Sequence, residues 1–214
     1  MKRRIAQFST GNVGRHALRS IIRRSDLELA GVHAHGSAKV GHDAAELCGL
    51  SEATGVIATD DVQALVDLAP DCVVYTTQAE SRPHDALAEV TAFLEAGTNI
   101  VSNSFVWLVD PPHAEGWLRE PIEAACAVGN STMYVNGIDP GFSPDLLPLA
   151  ALSLTERADT ITVQEICDCL DHNEAGVIAT AAKAVNAIEV VCEARPGLIT
   201  LRDLPISQVR NLMA

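Results

Sequence analysis

The chain has 214 residues, 15 Lys and Arg against 28 Asp and Glu, and a formal net charge of -13. With 48% hydrophobic and 20% charged residues it can bury a full core, which excludes disorder over most of its length, and its acidity opposes sequence-independent binding of nucleic acid, because a polyanion is repelled. The apolar runs are read as shorter than the roughly 18 residues of a membrane-spanning helix, and Met1-Lys2-Arg3-Arg4 leads straight into strand-like sequence without the apolar region of a signal peptide; no membrane partner and a cytoplasmic location are therefore expected.

Short β-branched runs alternate with helical patterns. Ile5 to Phe8 predicts a strand, Val13 to Arg23 a helix with Val13, Ala17 and Ile21 on one face, and Leu27 to His33 a second strand. Gly55 to Ala58 predicts a third strand, followed by a helix over Asp61 to Leu68 that opens on acidic residues, as a helix N-terminus favours. Cys72 to Thr76 predicts a continuous apolar strand, Pro83 to Ala96 a helix with Pro in its first turn and Gly97 past its end, and Asn99 to Ser102 a fifth strand. Pro121 to Val128, stopped by Gly129, predicts a helix, Thr132 to Asn136 a sixth strand and Pro144 to Leu154 a further helix. Strands alternating with helices of about ten residues mark βαβ units. Right-handed crossovers then give a parallel sheet covered on both faces, so the predicted fold class is α/β, a doubly wound parallel sheet of Rossmann type with a reduced C-terminal appendage.

The turn after the first strand carries the chemistry. In Ser9-Thr10-Gly11-Asn12-Val13-Gly14, Gly11 and Gly14 fill the second and third positions of the G-x-G-x-x-G fingerprint. Gly11 lets the backbone approach a pyrophosphate, Gly14 lets the helix pack closely on the sheet, and the free N–H groups of the helix start bind the anion. Ser9 replaces the first glycine and must make the tight turn with a Cβ. Near the end of the second strand, NAD enzymes place an acid for the ribose hydroxyls, but here no acid follows until Asp43. His35, Ser37 and Lys39 can instead donate to a 2′-phosphate, which favours NADP over NAD. Thr76, Thr77, Gln78, Ser102, Asn103, Asn136 and Asp139 lie at the carboxyl ends of later strands, where open parallel sheets bind ligands; Asp139-Pro140-Gly141 reads equally as a plain turn.

The six cysteines sit mostly in apolar runs and read as buried, reduced thiols. Cys167-x-Cys169 with His172 lacks the second pair and the spacing of a zinc site, so no metal is expected. His84, His113 and His172 lie near turns and read as surface residues. No G-x-S-x-G elbow occurs, and Ser9 and Ser143 have no partner identifiable by spacing, which sets a hydrolase aside.

Together STGNVGRHALR, HAHGSAKVGHDAAELCG and VNGIDPGFSPD resemble the dihydrodipicolinate reductase-like superfamily, and within it the 2,4-diaminopentanoate dehydrogenase-like proteins and native amine dehydrogenases. The resemblance covers Met1 to about Leu154 and resumes in Gly176 to Pro205, where ATAAKAVNAIEVVCEARPGL looks like the family's closing helix. It implies hydride exchange between a nicotinamide cofactor and a C=N or C–N bond of a small molecule. It also implies that Thr10 to Val13 hold the pyrophosphate, the His35–Lys39 loop the adenosine ribose, and the strand-end residues the nicotinamide. Two departures stand out. Where amine dehydrogenases of this group carry a glutamate after the fifth strand, this chain has Ser104-Phe105-Val106-Trp107. The inserted substrate domain is reduced to one predicted strand, Ala158 to Cys169.

The implied organisation is a dinucleotide-binding domain over residues 1-154, a remnant of the substrate domain over 155-175, and a closing helix and tail over 176-214. In that helix Val177, Ala181, Val185, Ile188 and Cys192 form a core-facing stripe. A lone strand leaves backbone groups unpaired, so a homodimer through 158-169 is expected. Two functions follow: an NADP-dependent oxidoreductase on a small imine, amine or keto substrate, with no catalytic residue assigned, or a minimised NADP-binding domain without turnover.

Overall fold

The computed structural model describes residues 2–164 and 172–205, without the side chains of residues 172 and 173. Six strands, β1 (Arg3–Phe8), β2 (Leu27–His33), β3 (Cys72–Tyr75), β4 (Asn99–Ser102), β5 (Thr132–Val135) and β6 (Gly197–Ile199), form one sheet in the order β2-β1-β3-β4-β5-β6. Every ladder is parallel. The helices are α1 (Asn12–Arg23), α2 (Ala44–Leu47), α3 (Val62–Asp67), α4 (Pro83–Glu95), α5 (Gly116–Gly129), α6 (Leu146–Leu152) and α7 (His172–Cys192).

Alternation along the strands builds the two layers. Ala6, Phe8, Val73, Tyr75, Ile100, Met133 and Val135 face the α4–α5 side, where Val90, Phe93, Leu118 and Ile122 pack on them. Ile5, Cys72, Val74, Val101 and Tyr134 face the other way, onto Ala17 and Ile21 of α1 and Ala181, Ala184, Val185 and Ile188 of α7. Because side chains alternate with period two, each strand is apolar on both faces, as a doubly covered parallel sheet requires.

The structure corrects several expectations. Gly55 to Ala58 forms no ladder strand. It makes only the isolated bridge Asp43–Ile57, with His33–Thr59 one residue beyond it, because its amides and carbonyls pair with the 41–44 turn through Gly41 N–Ala58 O, Ala58 N–His42 O and Ala44 N–Val56 O. That turn is fixed by the Asp43 carboxylate, which accepts from the amides of Ala45, Thr54 and Gly55 at 2.7–3.0 Å. These bonds, the one from Thr54 foremost, hold Asp43 down at about 2. The sixth ladder strand is instead β6, three residues beside β5, too short to leave a periodic signal. Helix α5 begins at Gly116, five residues before Pro121, and so keeps a proline that has no N–H to return to the Trp117 carbonyl. The run 158–164 is exposed and forms no strand. The rest of that predicted strand, with Cys167 and Cys169, lies outside the described residues.

Helix α7 also overturns the reading of apolar lengths. Its segment Glu174–Cys192 is long and apolar enough to cross a membrane by length and composition. Part of that apolarity belongs to the layer beneath the sheet, with Ala181, Ala184, Val185, Ala187, Ile188 and Val191 buried.

Candidate functional site

The strand order reverses between β1 and β3: the chain winds from β1 to β2 on one side and from β3 onward on the other. A crevice opens at the carboxyl ends of strands at such a switch point. Phe8 of β1 is followed there by Ser9, whose φ of 77° is left-handed, the conformation that the first glycine of the fingerprint would adopt freely. A Cβ on Gly14 would lie 2.3 Å from the Ser9 carbonyl oxygen and 2.7 Å from Thr76 Oγ1, so only glycine lets α1 sit this close to β1 and β3. Gly11 caps α1 without a side-chain bond, and no acidic residue lies in the first turn. The positive end of a 12-residue helix therefore faces the crevice uncompensated.

Two long-range contacts bring the loop after β2 to this turn. Lys39 Nζ donates to the Thr10 carbonyl at 2.8 Å, and His35 Nε2 shares a 3.2 Å hydrogen bond with Thr77 Oγ1. The structure thus brings His35 and Lys39 of the loop after β2 to Thr77 and to the Ser9–Gly14 turn, with Ser37 and Gln78 exposed on the flanking loops. Thr76 and Ser102 have internal partners. Thr76 Oγ1 donates to the Phe8 carbonyl at 2.9 Å and accepts from Gln7 Nε2 at 2.9 Å, while buried Ser102 donates to the Tyr75 carbonyl and accepts from the Ser104 amide. Asp139 is exposed in the turn that leads through Gly141, whose amide donates to Asp145 Oδ2 at 2.7 Å.

Three buried polar atoms along the same edge have no hydrogen-bond partner among the described residues: Thr10 Oγ1 after β1, Asn103 Nδ2 after β4 and Asn136 Oδ1 after β5. Leaving such groups dry is costly. Their alignment along the carboxyl ends, together with the uncapped helix and the glycine cradle, fits an elongated polar ligand with an anionic centre.

Several residues of this region carry no sequence motif. Gln7, fully buried within an apolar strand, ties Ser9 and Thr76 together through Nε2; a polar residue among Ile5, Ala6 and Phe8 was its only trace. His33 stacks on Phe8 with ring centroids 3.9 Å apart, and Phe8 on Tyr75 at 4.8 Å. Burial foremost, then the neighbouring His35, pushes His33 down to about 4. Tyr75 donates to Glu89, which Arg82 also grips. Burial opposes the Glu89 charge, yet the Arg82 and Tyr75 bonds outweigh it and hold the carboxyl below its ordinary range. At the β5 end, Lys183 is half-buried with Nζ 5.7 Å from the centroid of the Phe142 ring, and burial lowers its pKa. Finally, Glu80 from the loop after β3 accepts from the Val106 amide at 3.4 Å. It brings a carboxylate against the stretch after β4 whose own sequence has none.

Sheet order, the all-parallel ladders and the glycine turn define a Rossmann-type α/β protein. The family profile "Dihydrodipicolinate reductase, N-terminus" matches residues 9–103, and "2,4-diaminopentanoate dehydrogenase C-terminal domain" matches residues 151–213. In both segments the chain is similar to proteins of the dihydrodipicolinate reductase-like superfamily. A curated amine dehydrogenase from Streptomyces virginiae is 40% identical over 167 residues, 78% of this chain and 46% of the relative, so the chain spans about half the length of that protein. Among solved structures, an amine dehydrogenase from Mycobacterium smegmatis superposes with a TM-score of 0.74 at 15% identity, covering 98% of both chains. An engineered D-amino acid dehydrogenase bound to NADP+ gives 0.50 at 18% identity, covering 72% of this chain and 42% of that one. These two share the fold.

Proposed function

We propose that this chain is a nicotinamide-dependent oxidoreductase that transfers hydride between NADPH and a C=N or C–N bond of a small amine or imine. The observation that carries this reading is the turn from Ser9 to Gly14, an uncapped helix start at the switch point in a chain 40% identical to an amine dehydrogenase. The amides of Thr10 to Val13 hold the pyrophosphate. His35, Ser37 and Lys39, with no acid among them, receive a 2′-phosphate, and Asn103 and Asn136 turn their unpartnered amide atoms to the nicotinamide end. The bound cofactor supplies the hydride. Glu80, held against Val106, takes the place of the glutamate absent from Ser104 to Trp107 and exchanges the substrate's proton at its carboxylate. A homodimer through the 158-169 segment covers the site against water.

Titration with NADPH and NADH, followed by nicotinamide fluorescence, tests the cofactor assignment. NADPH is expected to bind at least tenfold more tightly, and Lys39→Met to remove most of that preference; tighter binding of NADH overturns it. A monomeric mass by light scattering overturns the dimer. A second reading, a cofactor-binding domain without turnover, is favoured by the lack of a carboxylate in Ser104 to Trp107. A screen with cyclic imines and with ketones plus ammonia separates the two, and Glu80→Gln is expected to abolish any rate found while NADPH affinity stays the same.

A further inference from the structure

Among the described residues four cysteines stand as free thiols, Cys48, Cys72, Cys126 and Cys192, and the packing sorts them by layer. Cys126 lies in the core between the sheet and α4–α5, and Cys48 in a separate cluster with Leu18 and Val32. Of these four, Cys72 and Cys192 alone share a layer, the one between the sheet and α7. Cys72, the first residue of β3, is fully buried with its side chain in that layer. Cys192, the last residue of α7, is half-buried.

The fold brings the two sulfurs together across most of the chain. Cys192 Sγ donates at 3.7 Å to the carbonyl of Asp71, the residue that precedes Cys72, over a separation of 121 residues. The Cys72 thiol donates in turn to Cys192. Arg3 of β1 holds the end of α7 over this spot: its guanidinium bonds both carboxylate oxygens of Glu189 at 3.2 Å and reaches Glu193 at 3.9 Å. The two thiols have unlike surroundings. The hydrogen bond from Cys72 foremost, aided by Arg3, outweighs burial and holds Cys192 below the ordinary thiol range. Burial pushes Cys72 well above it. Because the thiolate is the attacking form in thiol–disulfide exchange, the pair divides into a reachable nucleophile and a buried thiol beside it.

We propose that Cys72 and Cys192 are a redox modification site, at which a low-molecular-weight disulfide turns the pair into an internal disulfide that fastens the end of α7 to β3. Cys192 attacks one sulfur of the small disulfide, whose S–S bond breaks and releases one small thiol. Cys72 then attacks the Cys192 sulfur of the mixed disulfide, expels the second small thiol and yields its proton to it. Two protein thiols are oxidised, and one small disulfide is reduced to two thiols. A bond that closes so long a loop restricts the unfolded chain and so stabilises the folded one. The pair lies at the amino ends of β1 and β3, opposite the crevice, and is independent of the cofactor reading.

The test exposes the native full chain to excess 2-hydroxyethyl disulfide, blocks remaining thiols with iodoacetamide and maps the peptides by mass spectrometry. Peptides joined through Cys72 and Cys192 are expected, with Cys48 and Cys126 in neither the link nor a mixed disulfide. The melting temperature is expected to rise by about 5 °C or more and to return after dithiothreitol. Cys72→Ala is expected to stop at a mixed disulfide on Cys192, and Cys192→Ala to leave Cys72 unmodified; neither variant gains in melting temperature. The map of the unsubstituted chain decides the matter even where a variant fails to fold. Free Cys72 and Cys192 after exposure, a mixed disulfide on Cys192 that Cys72 does not resolve, or a link without a rise in melting temperature overturns the proposal.

Discussion

At the scale of single residues, the crevice depends on two positions of opposite character. Gly14 has no room for a side chain: a Cβ there would stand 2.3 Å from the Ser9 carbonyl oxygen, so Gly14→Ala must push α1 off the sheet. A loss of about 1–3 kcal/mol, typical of overpacking, is expected in urea unfolding, together with at least tenfold weaker NADPH binding. Ser9 is the converse. Its φ of 77° costs an L-residue about 1–2 kcal/mol, so Ser9→Gly is expected to raise the melting temperature and leave NADPH affinity intact; a lower melting temperature would show that the serine side chain contributes more than the strain removes. Both positions were legible in sequence, because the fingerprint assigns a backbone demand to each glycine. The partners that complete the turn were not. Lys39 reaches Thr10 across 29 residues and Glu80 reaches Val106 across 26, and spacing carries no information at such separations.

At the scale of elements, the ends of β2, β1 and β3 are locked by the ring series His33–Phe8–Tyr75. His33 is neutral there: the unfolded chain takes up its proton near 6.5, the folded chain only at about 4. The unfolded state therefore binds more protons between these values. The stability contributed by keeping His33 neutral is complete above about pH 6.5 and declines as pH falls toward 4. His33→Phe, which preserves the stack, is expected to flatten this part of the stability profile when urea midpoints are compared at about pH 7.5 and about pH 5. An unchanged slope would mean that another group controls the acid limb. Helices and strands with strong periodicity were predicted within a residue or two. Two failures were short elements: Gly55 to Ala58, whose backbone pairs with a nearby turn, and β6, whose three residues find a partner in β5; a third was the start of α5, which lies at Gly116 instead of Pro121.

At the scale of the whole molecule, α7 is the element that closes the fold. It lies along α1 and under β3, β4 and β5, and it returns the chain so that β6 can extend the sheet. Ile188, fully buried in that layer, gives a direct measure of the closure: Ile188→Ala is expected to cost about 2–5 kcal/mol, read as a shift of a single cooperative transition. Separate transitions for the two layers would contradict a common core.

What the sequence determined alone is the alternation of strand and helix, hence the doubly wound class, and the turn at its head, since both depend on local periodicity and on backbone freedoms peculiar to glycine. Tertiary structure decided which edge strand survives, which polar atoms remain unpartnered, where a carboxylate meets Val106 and which two cysteines meet. These are contacts between residues far apart in the chain, set by packing and by competition for backbone hydrogen bonds, which no local pattern encodes.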